Sequence, residues 1–356
     1  MNVELFIIDI IEGKRKIPLL RGALYGLSFL FQIGVKTRSL FYRVGIFKTR
    51  SLPCPVISIG NLVAGGTGKT PFIKALIEEL FLEKGKGAVL CRGYRSKLEK
   101  QQKSFLLSEG MGPKVLPVIC GDEPYWLASH TNAQIVVGKD RMQSGLLAID
   151  KGAELLILDD GFQHKQLQRD VDIVLLDSTD LFGKGYFLPR GYLRDSPSKL
   201  READVVVVTR LEQSHCREEI ERAIRLYTKA PLVGFAAAYE LDKQMVGTKA
   251  GAFCGIAKPS GFYRALETLG IEVVDTKTSS DHKIPSACCL QAFAKHCTEL
   301  GALSLICTEK DYVKIIDVEA IPLPIYPLKM KFTCVWNENS WKEIKQSIRI
   351  NKTNLK

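Results

Sequence analysis

The stretch ISIGNLVAGGTGKTPFIKALIEEL, residues 57–80, constrains the fold more than any other part of the sequence. It has the pattern of an apolar strand, a glycine-rich loop and an amphipathic helix, which is the order that a phosphate-binding loop requires. In such a loop, backbone N–H groups and the helix N-terminus face an anion. The predicted loop residues are Val63, Ala64, Gly65, Gly66, Thr67, Gly68, Lys69 and Thr70.

Two side chains of this loop have predicted roles toward a bound nucleotide. We expect Lys69 to contact the β- and γ-phosphates and the hydroxyl of Thr70 to ligate Mg²⁺. The strict motif has glycine five residues before Gly68, and here that position is Val63. Gly65 and Gly66 are expected to supply the flexibility instead, so the sequence predicts a variant loop. The alternative is a glycine-rich turn without a ligand.

A second apolar strand, in ELLILDDGFQH, ends in Asp159 and Asp160. Carboxylates at the carboxyl end of a parallel strand lie at the phosphate edge of such a sheet, where they hold Mg²⁺ directly or through water. Aspartates at strand ends also cap following helices, which is the alternative for this pair. Together with Lys69 and Thr70, they predict a magnesium–nucleotide site.

The remaining strands have near-continuous apolar patterns that are typical of strands buried on both faces: PVISIG, GAVLCRG, AQIVVG, DIVLLD and DVVVVT. Alternating with helices, they predict a P-loop NTPase-like α/β fold with a doubly wound, mostly parallel sheet. After about Phe235, GAFCGI, IEVVDT, LSLICTE and a helix at 260–269 predict a second, smaller α/β domain. We expect a basic apolar region at 1–50, the P-loop domain at 51–238, the smaller domain at 239–340 and a polar tail at 341–356.

The segment 19–47 is apolar and aromatic, but its uncharged part, Gly22 to Val35, has only 14 residues. That length is short for spanning a bilayer. Flanking lysines and arginines suit a helix lying in the interface of an anionic membrane. An ordinary buried first helix is the alternative.

The chain carries 50 Lys+Arg and 39 Asp+Glu, a formal charge of +11, which favours anionic partners. No nucleic-acid module accompanies the charge, so no nucleic-acid partner is expected. The ten cysteines show no CxxC spacing and are typical of reduced core residues in a cytoplasmic protein rather than of a zinc site.

The activity stays open at this point among an ATPase, a GTPase and a kinase, although no NKxD-type guanine-reading motif is evident. Transfer to a hydroxyl group benefits from a base near the acceptor. Candidate bases are Asp122 in CGDEPYWLA and the pair Asp281 and His282 in SSDHKIPS. Each of these is also common as a helix cap or turn residue.

The order of several short motifs resembles the tetraacyldisaccharide 4′-kinase family, which acts in the lipid A pathway of Gram-negative bacteria. These motifs are GNLVAGGTGKTP, RGYRS, GDEP, VGKDR, LDDGFQH, LPRGYLRD, FCGIAKP, SDHK and TEKDYVK. The combination of GGTGKTP, GDEP and DDGFQH is highly specific, because DDGFQH is not a general feature of P-loop proteins.

The resemblance implies transfer of the γ-phosphoryl group of ATP to the 4′-hydroxyl of a tetraacyl disaccharide 1-phosphate. It implies ATP and Mg²⁺ as cofactors, a lipid disaccharide and an anionic membrane surface as partners, and no obligatory protein partner. The expected location is the cytoplasmic face of the inner membrane, reached peripherally or through one N-terminal helix. The smaller domain is expected to close the active-site cleft.

Site residues follow from the matching motifs. Asp122 resembles the acceptor-activating base, assisted by His282 of the candidate pair Asp281–His282, and Gln163 is expected near the transferring phosphate. Arg194 is a candidate for binding phosphate charge through its planar guanidinium.

The chain departs from the family pattern at three positions. Asp195 stands where glutamate is usual, Arg190 adds a charge, and Lys283 replaces a second histidine. A membrane-associated P-loop ATPase switch without a lipid acceptor is the alternative function. An ATPase switch of this kind would give no role to the motifs GDEP (121–124) and SDHK (280–283).

Overall fold

One sheet contains all the strands named below. The structure is a computed structural model, and it describes residues 3–80, 86–94, 96–100, 103–213, 216–241, 247–256, 259–279, 285–315 and 318–354. The strands are β1 (Val56–Asn61), β2 (Gly87–Cys91), β3 (Phe105–Glu109), β4 (Gln134–Val137), β5 (Leu155–Asp159), β6 (Val171–Asp177), β7 (Val205–Thr209), β8 (Leu232–Glu240), β9 (Lys249–Cys254), β10 (Glu272–Thr278), β11 (Ser304–Thr308) and β12 (Ile325–Trp336).

The helices lie between and around these strands. They are α1 (Val3–Ile11), α2 (Pro18–Arg43), α3 (Lys69–Leu80), α4 (Pro117–Cys120), α5 (Asp122–His130), α6 (Arg141–Asp150), α7 (Arg217–Arg225), α8 (Pro259–Thr268), α9 (Ala287–Glu299), α10 (Glu309–Tyr312) and α11 (Glu338–Asn354).

The strand order is β10, β9, β11, β12, β8, β7, β6, β1, β5, β2, β4, β3. Among the strand pairs of the described residues, only β3–β4 and β8–β12 are antiparallel. Strands β1, β2, β4 and β7 are buried along their whole length, which is why their sequences are near-continuous apolar runs. The predicted α/β class and mostly parallel sheet are confirmed.

The smaller set of strands has its own apolar clusters but shares the sheet. Phe253, Phe293 and Leu305 belong to one of these clusters, and Phe262 and Leu266 belong to another. The two parts of the sheet meet where β12 pairs in parallel with β11 and antiparallel with β8. The expected domain limit between residues 238 and 239 therefore falls inside β8.

The segment expected to be a polar tail contains most of α11. Trp341 is buried, and its ring centroid lies 5.8 Å from that of Phe72 and 5.3 Å from that of Phe235. Phe72 belongs to α3, so α11 returns to the P-loop part of the molecule. Lys342, Glu343 and Arg349 of α11 are exposed, and residues such as these gave the segment its polar composition.

Helix α2 carries most of the apolar residues of the N-terminal segment at its surface. Of its 26 residues only Leu24 and Ser28 are buried, and its large exposed side chains are Leu19, Tyr25, Leu27, Phe29, Leu30, Phe31, Ile33 and Leu40. Within the described residues it is the one helix long and apolar enough to cross a membrane, a test that soluble core helices and signal sequences also pass. Because so little of α2 is buried, it is not a core helix of the described structure.

Candidate active site

The glycine-rich loop lies between the end of β1 and the start of α3, as predicted. Gly65 has φ 114° and Gly68 has φ 82°, so both occupy backbone conformations that other residues rarely adopt. Val63 instead pairs with Leu193 in an isolated antiparallel bridge, and the Ala64 N–H donates to the Tyr192 carbonyl at 2.6 Å. The backbone at position 63 is extended and paired, which explains why glycine is not required there.

Three side chains hold the loop from outside. The Asn61 amide donates to the Thr67 hydroxyl at 2.9 Å, and the Thr209 hydroxyl donates to the Thr67 carbonyl at 2.9 Å. The Arg210 guanidinium donates to the Gly66 carbonyl at 2.9 Å. Thr209 and Arg210 come from the carboxyl end of β7, two strands from β1. The loop is therefore shaped by tertiary contacts as well as by its own glycines.

Asp160 is the centre of an ion-pair network at the carboxyl end of β5. Arg194 donates to both of its carboxylate oxygens at 2.7 and 2.8 Å, and the Lys69 ammonium lies 3.4 Å from Oδ1. Desolvation opposes ionisation, but Lys69 and Arg194 together hold the pKa of Asp160 well below its usual range. Its φ of 56° is a left-handed conformation uncommon outside glycine, and such strain is frequent at functional sites.

Asp159 has the opposite electrostatic environment. Desolvation, followed by the nearby charges of Glu123 and Asp160, raises its pKa to about 7. The register of β5 places Asp159 beside Ile59 of β1, and the Asp159 carbonyl accepts from Arg141 at 3.4 Å. The charges of Lys69 and Arg141 lower the pKa of Asp159 but do not offset the effect of desolvation.

Thr70 and Glu123 link the loop to α5. The Thr70 hydroxyl donates to Glu123 Oε1 at 3.3 Å, and the same oxygen accepts from Lys310 at 2.7 Å. Among the described residues no group of three or more His, Cys, Asp or Glu side chains is arranged to hold a metal. Magnesium bound through nucleotide phosphates, water and one hydroxyl does not require such a group, so Thr70 with Asp159 and Asp160 nearby fits Mg²⁺.

Asp122 begins α5 and lies beside the smaller part of the molecule. Its Oδ2 is 3.3 Å from the Lys314 ammonium. The other predicted members of the acid–base group, Asp281 and His282, lie outside the described residues. Their pairing with Asp122 therefore stays a prediction.

Gln163 and Arg194 are fixed by the end of β1. The Gln163 amide donates to the Asn61 carbonyl at 2.9 Å, while its Oε1 is buried and has no hydrogen-bond partner among the described residues. The Arg194 backbone N–H donates to the Leu62 carbonyl at 2.7 Å, and its guanidinium also contacts the Asn61 amide oxygen. Phe162, the residue before Gln163, packs directly against the backbone of Gly60. A Cβ at position 60 would lie 2.5 Å from the Phe162 Cβ, so a side chain there would prevent this packing.

The two departures at Asp195 and Arg190 have separate environments. Asp195 is buried and accepts from the Ser196 N–H at 2.9 Å, and its pKa is raised by desolvation. The Arg190 guanidinium lies over the Tyr186 ring, 4.5 Å from its centroid. Arg190 is therefore part of the surface beside α2, where Tyr25 also packs against Tyr186 with centroids 6.1 Å apart.

Several residues of the site were not singled out from the sequence. They are Asn61, Glu123, Arg141, Thr209, Arg210, Lys310 and Lys314. Glu123, Arg141 and the two lysines lie inside the motifs GDEP, VGKDR and TEKDYVK, so the motifs themselves were the available signal.

Comparison with known proteins gives one consistent family. The family model described as Tetraacyldisaccharide-1-P 4′-kinase matches residues 20–349. The tetraacyldisaccharide 4′-kinase of Desulfotalea psychrophila is 38% identical over 322 residues, covering 86% of this chain and 91% of that protein. That of Syntrophus aciditrophicus is 36% identical over 320 residues, covering 83% and 85%.

A solved structure agrees with this assignment. The crystal structure of LpxK from Aquifex aeolicus in complex with ATP has a TM-score of 0.73 and 30% sequence identity, and covers 92% of this chain and 99% of that chain. With the loop, the strand-end aspartates and the motif order in place, this chain belongs to the tetraacyldisaccharide-1-P 4′-kinase family.

Proposed function

We propose that this chain transfers the γ-phosphoryl group of ATP to the 4′-hydroxyl of a tetraacyl disaccharide 1-phosphate in lipid A biosynthesis. The observation that carries the proposal is that Lys69 pairs with Asp160, while Glu123 of α5 contacts the loop residue Thr70 and its charge raises the pKa of Asp159. Asp122 precedes Glu123 at the start of the same helix. A nucleotide switch would use the first two features but has no need of an acceptor base. Family membership also favours the kinase over the ATPase switch.

Lys69 and the backbone of residues 63–68 are the proposed phosphate-binding groups. Lys69 pairs with Asp160 at 3.4 Å. A nucleotide phosphate would compete for that ammonium, while Arg194 keeps Asp160 charged and oriented through two further bonds. Gln163, whose amide donates to the Asn61 carbonyl at the end of β1, is proposed to lie near the transferring phosphate.

Mg²⁺ is the proposed metal cofactor, held by Thr70 with Asp159 and Asp160. When bound, it would neutralise charge on the β- and γ-phosphates. The Thr70 hydroxyl has a ready acceptor in Glu123 when it is not engaged by a metal. A bound cation would favour the ionised form of Asp159, whose pKa desolvation raises to about 7.

Asp122 is the proposed base for the acceptor hydroxyl. It would take the hydroxyl proton as the new O–P bond forms, and His282 is proposed to assist it. A carboxylate at the start of a helix is held in a defined direction, which favours proton transfer to a positioned group.

The anionic membrane surface is the proposed second partner, and α2 is the element proposed to meet it. A tetraacyl acceptor does not leave the bilayer readily, because each buried CH₂ group is worth about 0.8 kcal/mol. The exposed aromatic and aliphatic residues of α2 can enter the headgroup boundary, and Arg43, Lys48 and Arg50 follow at its end. The proposed location is the cytoplasmic face of the inner membrane, where ATP is present.

The test is transfer of ³²P from [γ-³²P]ATP to a lipid-extractable disaccharide 1-phosphate in mixed micelles. We expect ³²P to appear in the organic phase only when the acceptor, the protein and Mg²⁺ are all present. ATP hydrolysis of equal rate with and without acceptor, and no labelled lipid, would support the switch and reject the kinase.

A further inference from the structure

The motif TEKDYVK, residues 308–314, supplies Lys310 and Lys314 to the site and connects the smaller part of the molecule to α5. It begins at the carboxyl end of β11 and contains α10. The Thr308 hydroxyl caps this short helix by accepting from the Asp311 N–H at 3.2 Å. Asp311 is fully buried and accepts from the Gly255 N–H at 2.9 Å. The segment is therefore fastened to the end of β9.

From this fastened segment two lysines reach α5. The Lys310 ammonium lies 2.7 Å from Glu123 Oε1, and the Lys314 ammonium lies 3.3 Å from Asp122 Oδ2. Lys314 also lies 3.1 Å from Asp311 Oδ1, and only 9% of its side chain is exposed. The Lys314–Asp122 pair is largely removed from water, since only 19% of the Asp122 side chain is exposed as well. Loss of either partner would leave the other charge desolvated.

Glu123 and Asp122, the partners of these lysines, are the two carboxylates on which the catalytic proposal depends. Glu123 also accepts the Thr70 hydroxyl at 3.3 Å, and Asp122 is the proposed base. The placement of Asp122 is thus determined from two sides, by the start of α5 in one part of the molecule and by Lys314 in the other. The buried Asp311 fixes Lys314 in turn, so the lysine is not a mobile surface charge.

We propose that Lys314 is a positioning residue that holds the Asp122 carboxylate in the orientation for accepting the acceptor proton. The inference rests on the proposed role of Asp122. On this proposal the smaller part of the molecule supports proton transfer by supplying Lys314, which orients the base. Any contribution from the Asp281–His282 loop would be additional. Lys310 holds the neighbouring Glu123 in the same manner, next to the magnesium-binding hydroxyl.

The alternative for Lys314 is a structural role, in which it only neutralises the buried Asp311. The two roles differ in their dependence on Asp122. A positioning residue acts through Asp122, so its removal matters little once Asp122 cannot act as a base. A structural residue lowers stability and turnover whether or not Asp122 is present.

The experiment is a double-mutant cycle on the full chain with Lys314→Met, Asp122→Asn and the double variant, measured by ³²P transfer and by thermal unfolding. We expect Lys314→Met to lower kcat on the order of 10-fold or more, given the size of general-base contributions, with KM for ATP within about 2-fold. In the Asp122→Asn background, Lys314→Met should lower kcat less than about 2-fold further. Lys314→Arg keeps a cation at this position and should recover most of the turnover.

Lys249→Met is the matched control, since Lys249 pairs with Glu272 at 2.9 Å on the surface of the same part of the molecule. Its turnover should equal that of the unmodified chain. Multiplicative losses in the cycle, or a Lys314→Met variant with unchanged kcat, would overturn the inference while leaving the kinase assignment intact. Near-normal turnover of Asp122→Asn alone would instead reject the proposed base, and with it the positioning role.

Discussion

Arg194 binds both carboxylate oxygens of Asp160, with Nη1 2.8 Å from Oδ2 and Nη2 2.7 Å from Oδ1. Because Lys69 approaches Oδ1 of the same carboxylate at 3.4 Å, the arginine and the P-loop lysine share one partner. A nucleotide that draws Lys69 away leaves Asp160 paired with Arg194. The two bonds from Arg194 orient the Asp160 carboxylate independently of Lys69.

Arg194→Lys should lower turnover by roughly 10- to 100-fold, because one ammonium cannot reproduce two parallel bonds to a carboxylate. The measurement is kcat and KM for ATP by ³²P transfer, together with the thermal unfolding midpoint. Arg225→Lys is the control, since Arg225 pairs with Glu221 at 3.4 Å on the exposed surface of α7. Equal turnover of the two variants would show that the paired fork has no part in the reaction.

Lys69→Ala should reduce turnover on the order of 10³-fold or more, since it removes a charge that neutralises the γ-phosphoryl group during transfer. Lys74→Ala on the same helix, where Lys74 pairs with Glu78 at 3.6 Å, serves as its control and should leave turnover near normal. Nucleotide binding by calorimetry should weaken only in the first variant. A Lys69→Ala variant with near-normal turnover would refute the P-loop assignment.

Asp122→Ala and His282→Ala should each lower turnover strongly, because a carboxylate and an imidazole acting as one unit lose their function together. The double variant should then lose much less than the product of the two separate losses. Single-turnover ³²P transfer at saturating ATP measures all three variants. Purely multiplicative losses would refute the pairing of Asp122 with His282.

Deletion of residues 1–47 should release the chain from anionic vesicles and impair turnover on vesicle-bound acceptor. The expected cause is the loss of the exposed apolar side chains of α2 and of flanking cations, each cation contributing roughly 1 kcal/mol near an anionic surface. Co-sedimentation with vesicles at low and high salt checks the result. If the truncated chain binds as well as the full chain, the membrane-docking surface lies elsewhere.

His164 should make stability depend on pH. Desolvation and the charges of Arg141, Arg38 and Arg169 lower its pKa from 6.5 to about 4. Between those values the unfolded chain binds the proton and the folded chain does not, so stability falls as pH falls from 6.5 toward 4.

The corresponding variant is His164→Gln, which should flatten this part of the curve of unfolding midpoint against pH. His296→Gln is the control, because the His296 side chain is 55% exposed. An unchanged slope in His164→Gln would contradict the prediction.

The sequence predicted every strand that is buried along its whole length, namely β1, β2, β4 and β7, and also the half-exposed edge strand β10. It did not predict β3 or β8. It did not reveal β12, whose residues alternate irregularly between buried and half-exposed positions and include Pro327, Lys329 and Lys331. Its antiparallel pairing with β8 joins segments far apart in the chain, and such pairing leaves no local pattern. In α11 a signal was present, because Trp341, Ile344 and Ile348 recur at helical spacing on the face that packs against the core.

The residues of the site likewise fall into those that local sequence predicts and those that it does not. The loop glycines, Lys69 and the strand-end aspartates follow from local sequence, because strand, loop and helix are contiguous there. Asn61 and Lys314 could not be assigned roles from local sequence, since their partners Arg194 and Asp122 are distant in the chain. The predicted role of Asp122 remains a prediction that the variants described above test, and the role of Gln163 also remains a prediction.

The return of β12 and α11 to the P-loop part of the sheet has a consequence during protein synthesis. While the stretch between β8 and β12 is being translated, for roughly 4 to 17 s at 5–20 residues/s, the nascent chain holds β8 without its antiparallel neighbour. Phe72 and Phe235 meanwhile lack the indole that later covers them. The nucleotide-binding half leaves the ribosome early but is completed only when residues 325–354 emerge.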